Sequence, residues 1–282
     1  MNITLIGFLL GMLLLVLPLV AMYRYGLRIS VGRALSAIFR MVIYVGIMGF
    51  VMYMLQKDGS VAMSLLFALA LIVLAAVAAI LRSRLRLRVL FVPVVAAVAV
   101  SVIVVSAWLL LVTLGTGALV SPRFFLPVVG ILSGTAITAC SDSLSAYYDG
   151  LRHHNQLYFY LLGNGATHAE ALDTFVRRAL EKAVMPGLSQ MATVVVGTAP
   201  VMMWTMIMCG QGAIEAAAFQ LLVMAAAFCV SVMSVLLAVI LTRKYMFDEY
   251  SRLNTLRKAD DKEPSAVQET VAQEAADEVD EN

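Results

Sequence analysis

The chain has 282 residues, 62% of them hydrophobic and only 13% charged, with a formal net charge of +2. A water-soluble fold of this length needs far more charge on its surface, so the composition excludes one and makes lipid the solvent for most of the chain. A mean hydropathy of +0.92 agrees.

Charge is segregated along the sequence. Residues 259–282 carry nine Asp or Glu and one Lys, while the rest is basic. Cys140, Cys209 and Cys229 fall in no metal-ligand or C-x-x-C spacing and read as free thiols acting as small hydrophobes.

A bilayer core about 30 Å thick needs about 20 apolar residues as a helix. Seven segments meet or approach that length: 3–22, 34–55, 61–81, 89–112, 124–143, 187–208 and 214–242. Each is expected to be helical, because hydrocarbon leaves no partner for an unpaired backbone group. The first segment lacks a basic region before it, and Arg24 and Arg28 follow it, so it reads as a span rather than a signal peptide.

Arginines then set the expected topology. They crowd after span one (Arg24, Arg28, Arg33), after span three (Arg82, Arg84, Arg86, Arg88), between spans five and six, and after span seven (Arg243, Arg252, Arg257). The alternate loops hold only Lys57 and Arg123. The positive-inside rule puts the arginine-rich loops in the cytoplasm, the N-terminus outside and the C-terminus inside. The expected fold class is an all-α, multi-pass protein of the cell membrane. Residues 1–250 form its membrane domain and 251–282 an acidic, disordered tail. The outer loops are too short for a domain, and no internal repeat favours an inverted-repeat transporter.

Residues 144–186, between spans five and six, are the polar exception. Gly163, Asn164 and Gly165 divide them into two helical pieces. Thr167 and Glu170 make the Thr-x-x-Glu pattern of a capping box. Ala171, Leu172, Phe175, Val176 and Ala179 follow at helical spacing, with Asp173, Arg177, Arg178, Glu181 and Lys182 elsewhere, and Pro186 is expected to close the helix and start span six. Two readings of this amphipathic helix stand side by side: a docking surface for a partner, or an interfacial helix lying on headgroups.

The run Gly165-Ala166-Thr167, then Val176-Arg177-Arg178-Ala179, then Pro186 resembles the coupling-helix loop of ABC transporter permeases. The likeness is sharper to the FetB-type permeases linked to iron export. It extends over residues 30–250 through Arg33, Pro127 to Gly134, Leu162 to Pro186, Ala199 to Gly210, Gln220 and Arg243-Lys244-Tyr245. Ala37, Val201 and Thr135 stand where that family usually has Gln, Gly and Asn.

The resemblance implies a homodimer working with a separate ATPase chain on the cytoplasmic side and exporting a metal ion, iron by analogy, or a small solute. Gly165, Ala166, Thr167, Glu170, Phe175, Arg177 and Arg178 would couple to the ATPase. No Gly-Lys occurs in the chain, so it holds no Walker A loop and is expected to be a transport subunit rather than an enzyme, with no cofactor and no nucleic-acid partner. The rival reading is a channel or scaffold that needs no ATP.

Polar groups inside spans are functional hypotheses by default. Asp142 is open to three readings: an ion pair with Arg40, a contact with a cation, or a side chain reaching the interface. Glu215 suits the first turn of span seven, with an outer cation site as the alternative. Met202, Met203 and Met206, beside Met208 and Cys209, are weak candidates for a metal pathway, because Met is also a common gap-filler. His153, His154 and His168 read as surface residues. Gly130 and Gly134 form a GxxxG pair that would allow close helix approach.

Overall fold

The structure, a computed structural model, describes residues 24, 31–58, 60–115, 121–194 and 200–246. Expected span one, residues 195–199 of span six and the acidic tail lie outside the described residues. Every regular element among the described residues is an α-helix: α1 (Val31–Asp58), α2 (Val61–Arg82), α3 (Leu87–Leu114), α4 (Pro122–His153), α5 (Asn155–Gly163), α6 (His168–Ala192), α7 (Val201–Met208) and α8 (Ala213–Met246). Five of them carry a stretch long and apolar enough to cross a bilayer: Ala34–Lys57, Val61–Arg82, Leu87–Thr113, Phe124–His153 and Ala213–Arg243. The chain is an all-α, multi-pass membrane protein.

Helices α2, α3, α4 and α8 pack together as a bundle, and α6 lies against α4 and α8. Lipid tails are as apolar as Leu, so helices in a membrane associate by close van der Waals approach, which small residues permit. The buried set shows it: Ala68, Ala75, Ala76 and Ala79 on α2, Ala97 on α3, Ala136 on α4, Ala226 and Ala238 on α8. Several buried hydroxyls are satisfied within their own helices. Thr242 Oγ1 donates to the Ala238 carbonyl at 2.6 Å and Ser231 Oγ to the Phe228 carbonyl at 2.7 Å, which avoids the cost of an unpaired polar group in hydrocarbon. Helix α1 stands apart, touching α4 lightly and turning its apolar surface outward.

Two elements differ from the sequence reading. Span five does not stop at 143; α4 runs to His153, so the polar segment begins on a helix already in place. The sixth expected span, 187–208, is not one helix. Its start is the continuation of α6 through Pro186 to Ala192, and its end is the separate eight-residue α7. Pro186 therefore lies inside a helix rather than closing one. Proline removes only its own amide, and neighbouring helices stabilise the interruption. Helix α6 ends instead at Ala192, with Thr193 as its C-cap, ahead of a sequence that holds the β-branched Val194, Val195 and Val196 and then Gly197 and Pro200.

The α6–α8 contact has one point of closest approach. A Cβ on Gly187 would lie 2.6 Å from Phe228 Cδ2, so only glycine lets that ring sit against the α6 backbone. Gly187→Val should force the helices apart and cost about 1–3 kcal/mol, the usual range for overpacking. Thermal unfolding of detergent-solubilised protein should show a lowered Tm, and Gly187→Val with Phe228→Ala should recover part of it. An unchanged Tm in the single variant would disprove the close contact.

Candidate functional site

Two end-to-end caps build the turn between α5 and α6. Helix α5 ends in a Schellman motif: the Ala166 amide donates to the Leu161 carbonyl at 3.1 Å and the Gly165 amide to the Leu162 carbonyl at 3.0 Å. Gly165 takes φ +86°, a left-handed value that costs a side-chain-bearing residue about 1–2 kcal/mol. Thr167 then caps α6. Its hydroxyl oxygen accepts from the Glu170 amide at 3.4 Å, and the Thr167 amide donates to Glu170 Oε2 at 2.8 Å, closing the capping box. Both donors from Thr167, amide first and hydroxyl second, hold the Glu170 carboxyl below the usual glutamate range. With one cap following the other, no residue in the turn is left free to swivel.

Helix α6 buries one stripe, Ala171, Leu172, Phe175, Ala179 and Ala183. Phe175 is 1% exposed and lies against Gly150 of α4. This stripe is covered by the protein's own helices, while Met185 and Leu188 farther along α6 are exposed. The same finding corrects the role expected of Phe175: a side chain buried against α4 positions the helix and meets no partner. Gly165, Thr167, Glu170, Arg177 and Arg178 all face outward, and Ala166 is half-buried. Arg177 pairs with Glu181 at 3.7 Å along the outer face. Between that face and the end of α4 runs a groove of about 610 Å³, lined by Asp149, His153, His154, Arg178, Glu181 and Lys182 among others.

A polar cluster that the sequence did not reveal lies beneath the turn. The Tyr158 hydroxyl is hydrogen-bonded to His168 Nδ1 at 2.8 Å, and the two rings meet edge to face. His168 is therefore a bridge between α5 and α6, not a surface residue. Burial first, and the nearby Arg243 guanidinium of α8 second, lower its pKa from the ordinary 6.5. Tyr147 of α4 is fully buried close by, and neither its hydroxyl nor Arg243 Nε has a hydrogen-bond partner among the described residues. Four helices thus bring polar groups to one point. These residues are 10 to 96 positions apart in sequence, with no local motif to flag them.

Two cavities line up along the seam between α4 and α8. The one nearer α6, about 130 Å³, is lined by Thr135, Thr138 and Asp142 of α4, Gln190 and Met191 of α6, and Met224 and Ser231 of α8, among others. The other, about 840 Å³, lies toward the opposite ends of the same helices and is lined by Phe124, Pro127 and Ile131 of α4, Met202 and Met206 of α7, and Gln211, Glu215 and Leu222, among others. Ile131 and Thr135 are one turn apart, so about 6 Å of helix separates the two linings on α4.

The candidate pathway residues therefore divide. Asp142 belongs to the smaller cavity, where it lies 3.8 Å from Arg82 of α2, not beside Arg40 as one sequence reading had it. Ser141 Oγ donates to the Asp142 carboxylate at 2.9 Å. Met202 and Met206 belong to the larger cavity, while Met203 is turned from it, its amide donating to Gln220 Oε1 at 3.3 Å. No cluster of three His, Cys, Asp or Glu suited to a metal ion occurs among the described residues. Gly130 and Gly134 have nothing within 4 Å of their Cβ positions, so this pair makes no close approach within the described chain.

Comparison with known proteins agrees with the fold. A family model described as "Uncharacterised protein family (UPF0014)" matches residues 5–247. The chain belongs to that family. It is a membrane family of the ABC-transporter-like permease type, which makes the chain a permease-type membrane protein. Among curated proteins it is similar to "Protein ALUMINUM SENSITIVE 3" of Arabidopsis thaliana, 33% identical over 104 residues. That match spans 37% of this chain and 38% of the relative. No solved structure matches the chain significantly.

The double cap makes two predictions. Gly165→Ala should destabilise the protein by about 1–2 kcal/mol and Thr167→Ala by about 1 kcal/mol, read as loss of Tm in detergent. Equal Tm values for both variants and the parent would rule the caps out.

His168 makes the fold sensitive to mild acid. Its folded pKa lies below the ordinary 6.5, so in that window the unfolded chain binds more protons than the folded one. Stability from this group is complete above pH 6.5 and declines as pH falls through the lowered value. His168→Gln should flatten that slope, and a Tm profile between pH 7.5 and 5 checks it; an unaltered slope would refute the assignment.

Proposed function

We propose that this protein is the membrane subunit of an ABC transporter, working as a homodimer, driven by a separate ATPase chain and exporting a metal ion or small solute. The observation that carries the reading is the α5–α6 corner. Its apolar stripe is consumed by α4 and its turn is braced by two caps, yet its charged face and the groove beside it lie open. A lipid-facing helix has no use for that arrangement. A surface that must receive a push and pass it inward does.

The force path follows from the packing. A partner pressing on Gly165, Ala166, Thr167 and Arg178 moves α6 as a unit, because the turn has no slack. Through Phe175 on Gly150 the movement enters α4, and through Gly187 on Phe228 it enters α8. These two helices form walls of both cavities. Rocking them as rigid bodies closes one cavity as it opens the other, which is alternating access. Arginine placement puts the α6 end in the cytoplasm, so cargo enters past Asp142 and leaves past Met202 and Met206. Iron, suggested by the FetB-type resemblance, is one candidate cargo. The aluminium-related name of the Arabidopsis relative also fits a role in handling metal ions.

The test is co-purification. Affinity-tagged protein should capture a chain carrying a Walker A motif, identified by mass spectrometry. Ala166→Asp and Arg178→Glu should each reduce capture at least about tenfold, roughly 1.4 kcal/mol, with Tm unchanged for Arg178→Glu. Undiminished capture by both variants would overturn the docking assignment.

A further inference from the structure

We infer that the larger cavity is a binding site for a thiophilic monovalent cation of the Cu(I) or Ag(I) class, with Met202 and Met206 as sulfur ligands and Glu215 as the charge-balancing carboxylate. The inference rests on the transport reading only for what the ion does next; occupancy stands on the cavity itself.

Met202 and Met206 are four residues apart, so they share one face of α7, and both line the cavity. Their neighbours do not. Met208 is 67% exposed and Trp204 55%, so α7 turns one sulfur-bearing face inward and an aromatic and another Met outward. The rotation is held from outside the cavity by the Met203 amide, which donates to Gln220 of α8. Position, not methionine abundance, selects these two thioethers.

Glu215, in the first turn of α8, and Gln211, just before that helix, face them, and none of the described lining residues is basic. The Glu215 carboxylate folds back toward Gly212, its Oε2 lying 3.7 Å from where a Gly212 Cβ would be. A carboxylate in the first turn is favoured by the helix dipole, and it can neutralise a bound cation without rebuilding the helix. Thioether ligands are soft and bind Cu(I) or Ag(I) in preference to hard divalent ions, which prefer oxygen. A single negative charge beside two neutral sulfurs matches one positive charge. At about 840 Å³ the cavity also admits the water that such an ion sheds.

The test uses full-length protein in zwitterionic lipid nanodiscs, with Ag(I) as a redox-inert probe. Ag(I) should slow peroxide oxidation of Met202 and Met206 roughly tenfold, while Met208 and Met224 react as before, read by peptide mass spectrometry. Met202→Leu with Met206→Leu should weaken Ag(I) affinity at least roughly tenfold, Glu215→Gln should weaken it about threefold, and Met203→Leu should leave it unchanged. Equal protection of all methionines, unchanged affinity in the double variant, or displacement of Ag(I) by equimolar Mn(II) would each overturn the site. If the double variant does not fold, footprinting of the unaltered protein still decides the question. No ATPase is present in the assay, so loss of the partner reading leaves this result standing, and the reverse also holds.

Discussion

Two aromatic rings join the polar helix to the membrane bundle, one of them at a point of approach that only glycine allows. Phe175 of α6 sits against Gly150 of α4, and Phe228 of α8 sits against Gly187 of α6. In lipid no hydrophobic force presses helices together, so contact of this kind has to come from shape. A ring on a bare stretch of backbone provides a large van der Waals area at close range. These two contacts make α6 part of the bundle instead of an arm lying beside it. The turn that α6 supports and the smaller cavity that it borders both rest on that attachment.

The double cap shows why the corner is stiff. Helix ends leave backbone groups without partners. Here the last carbonyls of α5 are taken by Gly165 and Ala166, and the first amides of α6 by Thr167 and Glu170. The Tyr158–His168 hydrogen bond crosses between the same two helices underneath. The joint is thus braced above and below. The cluster with Tyr147 and Arg243 draws α4 and α8 to the same point.

The two cavities share their walls, and this gives the molecule a simple geometry. Asp142, with Arg82 beside it, marks one end of the α4–α8 seam, and Met202, Met206 and Glu215 mark the other. The chemistry changes from ion-paired oxygen to thioether along the way.

The residues alone announced the membrane, the helices and the capping box. Each depends on local chemistry: twenty apolar residues in a row, a backbone that lipid forces to pair with itself, and a threonine three residues before a glutamate. The polar corner was equally legible, because charge is rare enough in this chain to stand out. Tertiary structure decided the rest. Pro186 lies inside a helix because packing overrode a local stop signal, and α6 ends at Ala192, within a stretch that apolar counting treats as one span. Phe175 turned inward because it lies on the stripe of α6 that packs onto the bundle. Asp142 found Arg82 rather than Arg40, and Met203 turned away from its neighbours, because helix rotation is set by contacts between distant segments. No periodicity within a single helix records which side of it another helix will cover.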